Sequence, residues 1–241
     1  MSDHSTRHVL ILLSDPAVSP VTGWPVGFWW SELTHAWLAF RDAGYAISIA
    51  SPRGGDLEAD MWSDPEHQSG YAEWDIISMG FKRSPWTAKL IRDVPALDTL
   101  DLDRFDALYV AGGQGPMITM IDDGDLHDRL VRFYETGKPL CIVCHASALL
   151  LKLRLSNGDR LVTEKTWTGF ADSDERYSEA AAGTKIQPFW IETEARKIED
   201  TNFITGGFQM PFAVRDGNLI TGQQNFSGGA AALKVIEALG R

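Results

Sequence analysis

The sequence predicts an α/β sandwich built on a mostly parallel sheet. Three observations carry that expectation. Short apolar runs of strand length alternate with segments of helical periodicity, and glycine-containing turns join the two kinds of segment. One run, residues 140–143, stops abruptly at Cys144-His145-Ala146-Ser147 before a helical pattern resumes. That is the layout of a nucleophile elbow, in which a reactive side chain sits on the sharp turn from a buried strand into a helix.

The elements follow in order. Residues 9–14 are a strand-length apolar run ended by Ser14-Asp15-Pro16, and a loop carrying Pro20, Gly23 and Pro25 comes next. Residues 31–43 read as a helix because Leu33, Trp37 and Phe40 recur at i, i+4 and i+7, and Gly44 sits where a C-terminal glycine belongs. Residues 46–50 are a second strand, ended by Ser51-Pro52-Arg53-Gly54-Gly55. Residues 56–103 lack a clear period and carry Trp62, Tyr71, Trp74 and Trp86. They read either as an irregular insertion whose aromatics cover the core or as a lid over an active site.

A third strand over 108–111 breaks at Gly112-Gly113-Gln114-Gly115, and a helix through Leu126, Leu130, Val131 and Phe133 ends at Gly137-Lys138-Pro139. The elbow lies between a strand over 140–143 and a helix over 146–155. Residues 161–163 suggest another strand, and 190–198 a short helix. Residues 212–214 and 219–221 suggest a hairpin across Asp216-Gly217-Asn218, since Asp-Gly suits a tight primed turn. A last helix covers about 227–239, with Ser227 as its N-cap candidate.

Bulk properties narrow the function. The 241 residues show no linker, repeat or low-complexity run, so residues 1–241 read as a single domain. A formal net charge of −11 repels phosphate backbones and anionic lipid, which argues against nucleic acid and membrane as partners. The apolar run at 9–13 is too short to span a bilayer, and no cleavage site follows it. Cys141 and Cys144 are the two cysteines. In a strand, positions i and i+3 face opposite sides about 10 Å apart, too far for a disulfide. Cys141 therefore reads as a small buried hydrophobe, and a reducing cytoplasm fits the chain.

Active sites of parallel sheets lie at the carboxyl ends of the strands. Three loops should converge there: the one after Ser14 leading to Glu32, the Gly112–Gly115 turn and Cys144-His145. Helix N–H groups and the positive dipole end would favour a thiolate at Cys144. The six histidines are His4, His8, His35, His67, His127 and His145, and none follows His145. This excludes a papain-type base far downstream of the nucleophile, as well as the late His-x-Glu pair of a glutamine-hydrolysing amidotransferase. His145 is thus the histidine sure to stand near Cys144. Taken alone, the pair also fits a buried strand-end cysteine followed by a helix-capping histidine.

Glu32 follows Phe28-Trp29-Trp30. A carboxyl beside apolar rings can stay protonated near neutrality and serve as general acid or base, although a helix-start carboxylate held by the dipole fits the same position. Glu32 and His35 share a helix face, but no further ligands accompany them, so no metal site is expected. The glycine turn lacks the G-K-[ST] ending of a phosphate loop. Asp172, Asp174 and Glu175 read as a solvated loop, one member of which could orient His145.

These residues also resemble a family. G-x-W-x-x-E-L (27–33), A-G-Y (43–45), S-P-x-G-G (51–55), G-G-x-G (112–115), C-H-A (144–146), T-G-F (168–170) and D-G-N-L-I-T-G-Q (216–223) resemble the ThiJ/PfpI superfamily, with its class I glutamine amidotransferase-like fold. The branch is that of the glutathione-independent glyoxalases (glyoxalase III) and related stress chaperones. The resemblance implies a flavodoxin-like three-layer sandwich, usually a homodimer, working without a cofactor. It implies Cys144 as nucleophile, His145 as its neighbour, Glu32 as the carboxyl bonding the thiol, and Glu175 as third triad member, with Asp174 as alternate. Gly113, Gln114, Ala146 and Trp30 would surround the substrate, with backbone N–H groups near Gly113 and Ala146 on the oxyanion.

The chain departs from the family pattern in three places: Gln114 stands for a histidine, Ala146 for a glycine, and Gln223-Gln224-Asn225-Phe226 for an asparagine-proline pair. The activity implied is conversion of a small 2-oxoaldehyde such as methylglyoxal into a 2-hydroxy acid through a Cys144 hemithioacetal. The alternatives are a stress chaperone or cysteine oxidation sensor, and a cysteine hydrolase or hydratase acting on another small electrophile.

Overall fold

The computed structural model describes residues 6–240, and His4 lies outside them. In chain order the elements are β1 (His8–Leu12), β2 (Ala17–Val18), β3 (Pro25–Val26), α1 (Trp30–Asp42), β4 (Ala46–Ala50), α2 (Ile76–Arg83) and α3 (Pro85–Ala88). Then come β5 (Ala107–Val110), α4 (Pro116–Thr119), α5 (Gly124–Glu135), β6 (Leu140–Val143), β7 (Thr166–Trp167) and α6 (Asp172–Ala182). The last are α7 (Ile191–Ala195), β8 (Asn202–Phe203), β9 (Ala213–Asp216), β10 (Leu219–Gly222) and α8 (Gly228–Ala238).

Six strands form one sheet in the order β4-β1-β5-β6-β10-β9. All neighbours pair in parallel except β9, which returns antiparallel to β10 through the Asp-Gly hairpin. The strands β5 and β6 are buried along their whole length, as a sheet covered on both faces requires. Helices α1 and α8 pack on each other and on the sheet, and α5 packs on β6. This is the flavodoxin-like α/β fold. The chain pairs β4 on one side of β1 and then β5 on the other. That reversal opens a crevice at the strands' carboxyl ends.

Four local expectations are corrected. Residues 56–103 are not wholly irregular: α2 lays Phe81 between Trp30 and Trp37, with ring centroids at 6.1 and 5.2 Å. Residues 161–163 are not a strand. Leu161 and Val162 are buried, but the backbone bonds locally, Thr163 N–H to Arg160 and Lys165 N–H to Val162, so a short apolar run here marks packing rather than pairing. Asp172, Asp174 and Glu175 are not a solvated loop but the first turn of α6, where negative charge is favoured, and Asp174 and Glu175 are buried. Ser227 precedes α8 without capping it. Its Oγ accepts from the N–H groups of Gln224 and Phe212, because the preceding 3₁₀ turn claims it.

Candidate active site

Cys144 is the first residue beyond β6, with φ of +57°. Non-glycine residues seldom take this left-handed conformation, and it persists where the surroundings over-determine it. The helix that follows starts at the cysteine itself, spans Cys144–Leu151 and is 3₁₀ rather than the α-helix expected over 146–155. Ser147 Oγ donates to the Cys144 carbonyl at 2.6 Å and fastens the first turn.

The other two loops meet the elbow as expected. A Cβ on Gly112 would come within 2.7 Å of both Cys144 Cβ and the Val143 carbonyl, so only glycine lets the turn approach the nucleophile this closely. Gly113 has φ of +99°, and its N–H, with that of His145, acts to lower the Cys144 thiol. Gln114 follows in the same turn and lines the cavity.

Glu32 lies in the first turn of α1, fully buried. Its Oε2 accepts the Gly112 N–H at 2.6 Å, its Oε1 is buried without a hydrogen-bond partner, and its carboxyl is coupled electrostatically to the Cys144 thiol. The Tyr109 hydroxyl donates to the Glu32 backbone carbonyl at 3.0 Å, tying α1 to β5 at this residue. Burial raises the carboxyl to about 7, against the lowering effect of the Cys144 thiol and the Gly112 hydrogen bond. Burial, and then the Glu32 charge beside it, push the Cys144 thiol well above its usual range, while the two amides act the other way. The helix start therefore does not by itself favour a thiolate, because burial and the Glu32 carboxyl act against it.

His145 Nδ1 stands 3.4 Å from Cys144 Sγ, and its Nε2 stands 2.9 Å from Glu175 Oε2. The Phe170 ring stacks on the imidazole at a 3.9 Å centroid distance. These contacts fix both the tilt and the reach of the ring. Asp174 points elsewhere: it accepts from the Gln209 N–H and the Gln223 side-chain amide. Glu175, then, is the carboxylate against His145. Gln223, where the family pattern has asparagine-proline nearby, instead links Asp174 to the Gly206 N–H.

Above the sulfur is a narrow cavity of about 40 Å³. By the volume that one water needs, it takes a molecule of only a few heavy atoms. Trp29, Trp62, Tyr71, Phe170 and Ile186 supply apolar walls, and Gln114, Ser178, Gln187 and Asn225 supply polar ones. Two open grooves of about 760 and 750 Å³ lie elsewhere, among charged surface residues without a nucleophile.

Cys144, His145, Glu32, Glu175, Gly113 and Gln114 are thus brought together. Trp30 is not: it packs in the core against Phe28 and Phe81, and its neighbour Trp29 lines the cavity. Successive residues at a helix start point in different directions, which the motif alone does not resolve. Ala146 is fully buried outside the cavity lining, and the N–H beside the sulfur belongs to His145. His35 pairs with Asp75 at 2.9 Å, away from Glu32. Among the described residues no group of three or more metal-ligating side chains is gathered, and no helix is long and apolar enough to cross a membrane.

Sequence reasoning missed Asp60, a fully buried carboxyl that accepts from the N–H groups of Gly27 and Gln114. Burial raises it to about 7, opposed by those two bonds. Its one sequence signal is Asp60-Met61-Trp62-Ser63, a pattern that reads as an ordinary turn start.

Residues 25–195 match the ThiJ/PfpI family-like model, and the chain belongs to this family. It is similar to a protein named Glyoxalase 3 from Candida albicans, 26% identical over 214 residues, which are 86% of this chain and 87% of that one. It is also similar to the glutathione-independent glyoxalase HSP31 of Saccharomyces cerevisiae, 24% identical over 212 residues with the same coverage. The crystal structure of glyoxalase III from Candida albicans superposes with a TM-score of 0.76 at 25% identity, covering 96% of this chain and 97% of that one.

Proposed function

We propose that this protein is a glutathione-independent glyoxalase that converts a small 2-oxoaldehyde, such as methylglyoxal, into a 2-hydroxy acid. The observation that carries the reading is the Cys144–His145–Glu175 relay that lines the small cavity, with the buried Glu32 carboxyl, raised by burial to about 7, behind the thiol. The resemblance to proteins named glyoxalases supports the same chemistry.

The Cys144 sulfur adds to the aldehyde carbon, and the thiol proton ends on the former aldehyde oxygen, giving a hemithioacetal. Glu32, assisted by His145, removes the proton on that carbon and returns one to the adjacent carbon through an enediol. The first carbon is oxidised and the second reduced, so no external redox partner or cofactor is needed. The product is a thioester of Cys144. Water cleaves it, releasing the 2-hydroxy acid and restoring the thiol. Glu175 holds His145 in position, and the N–H groups of Gly113 and His145 stabilise negative charge at the reacting centre. Trp62 and Tyr71, from residues 56–103, act as a lid that keeps bulk water from the enediol. The enzyme works as a homodimer in the cytoplasm.

The test is lactate production from methylglyoxal without glutathione, comparing the intact protein with Cys144→Ser. Turnover that vanishes in the variant is expected. No turnover in the intact protein, with Cys144 still alkylated readily, sinks the glyoxalase reading.

A second reading, a stress chaperone, draws on the exposed apolar side chains Trp74, Ile76 and Trp86. Suppression of client aggregation that survives Cys144→Ala would favour it.

A further inference from the structure

We infer that Asp60 is a positioning residue for the nucleophile: it holds the glycine turn, and with it the Gly113 N–H, against Cys144. Three consecutive amides of the glycine turn carry the argument. The first, Gly112 N–H, is taken by Glu32 Oε2 at 2.6 Å. The third, Gln114 N–H, is taken by Asp60 Oδ2 at 2.5 Å. Between them the turn lies against the nucleophile: a Cβ on Gly112 would come within 2.7 Å of Cys144 Cβ, and the Gly113 N–H acts to lower the thiol. Two buried carboxyls on distant parts of the chain thus hold the amides flanking that of Gly113.

Asp60 is itself held rigidly. Its other oxygen accepts the Gly27 N–H at 3.1 Å, its own N–H donates to the Phe28 carbonyl at 2.8 Å, and its carbonyl accepts the Ser63 hydroxyl at 2.7 Å. No Lys or Arg side chain forms an ion pair with it among the described residues. A fully buried carboxyl without a cation is costly for a fold, and its backbone bonds are what it accomplishes here. Those bonds also join the segment that supplies Trp62 and Tyr71 to the catalytic turn, so covering the cavity and holding the turn depend on the same residue. Rotating the Gln114 peptide swings Gly113, since that glycine has no side chain to anchor it and sits at φ of +99°.

Asp60→Asn keeps the shape of the side chain but presents an NH₂ group or a single acceptor to two N–H donors. The measurement is the rate of Cys144 alkylation by iodoacetamide against pH, with the labelled cysteine identified by mass. Losing one amide bond to a charged group is worth about a factor of ten. Alkylation at pH 8 should therefore fall about tenfold in folded Asp60→Asn, with the profile moved to higher pH. On methylglyoxal, kcat should drop while KM stays within about twofold, because the amide acts on the reacting centre rather than on binding. An unchanged alkylation profile in a folded variant overturns the inference. If Asp60→Asn does not fold, Ser63→Ala decides, because it loosens the turn bearing Asp60 without touching the carboxyl. A two- to threefold slowing (roughly one neutral hydrogen bond) is expected, and no change overturns the inference. Failure of the glyoxalase reading would show separately, as absence of turnover in a protein whose alkylation still depends on Asp60.

Discussion

Cys141 and Cys144 belong to the same short stretch of chain, and both are almost completely removed from solvent, at 0% and 1% exposure. Burial therefore does not distinguish them. Cys141 sits inside β6, paired in register with Tyr109 and Ile220 of the neighbouring strands, and burial alone raises its thiol. Cys144 lies one residue past the strand, in a left-handed conformation, with an imidazole in contact with its sulfur and a carboxyl and two amides that shift its thiol. The same element makes one thiol a packing atom and the other a candidate nucleophile. The difference is made by what the neighbouring loops bring to the end of β6, more than by accessibility or by the cysteine itself.

The largest expected effect breaks the comparison outright. Cys144→Ala should lower turnover of methylglyoxal by at least about 10³-fold, whereas Cys141→Ala should retain it and lose about 1–2 kcal/mol of stability from the missing sulfur. Steady-state kinetics with denaturant melts checks both, and comparable loss in the two variants would dissolve the distinction. Next comes Glu32→Gln, with turnover down about 10²–10³-fold. Its alkylation at pH 8 should rise rather than fall, because the group that pushes the thiol upward has been removed. Slower alkylation would mean that Glu32 acts as the base that ionises the thiol.

Glu175→Gln should have a smaller effect, about 10- to 100-fold in kcat, through loss of the charged partner that orients His145. A pH–rate profile separates this from loss of fold. The last effect is on stability rather than turnover. Glu32 has its folded value raised from 4.5 to about 7, so its contribution is fully present below pH 4.5 and is lost as pH rises through about 7. The unfolding free energy of the intact protein should therefore fall across that window relative to Glu32→Gln, by on the order of 3 kcal/mol at the upper end. Parallel curves for the two proteins would show that folding leaves the Glu32 pKa unshifted.

Much of the fold was legible. The expected runs at 46–50 and 140–143 coincide with β4 and β6, and the Asp-Gly hairpin joins β9 to β10. These elements declare themselves because apolar period, β-branched residues and turn glycines act within a few residues of one another. Residues 161–163 and Ser227 misled for the complementary reason: a three-residue apolar run and a lone cap candidate carry too little local information to exclude a turn or a competing partner.

At the site the division is similar. The elbow, the glycine turn and Glu32 follow from strand-to-helix junctions and motif spacing. By itself the sequence therefore determined the nucleophile candidate, its histidine and the end of the sheet where they meet. Tertiary structure alone decided that Trp29 rather than Trp30 faces the cavity and that Asp60 holds the glycine turn, and it separated Glu175, which the motif favoured, from its alternate Asp174. Each of these depends on side-chain direction or on a contact between distant segments. The physical reason is range. Backbone propensity and hydrophobic period are local, whereas the protonation of a buried thiol–carboxyl pair is set by desolvation and by dipoles from loops that only the folded sheet places side by side.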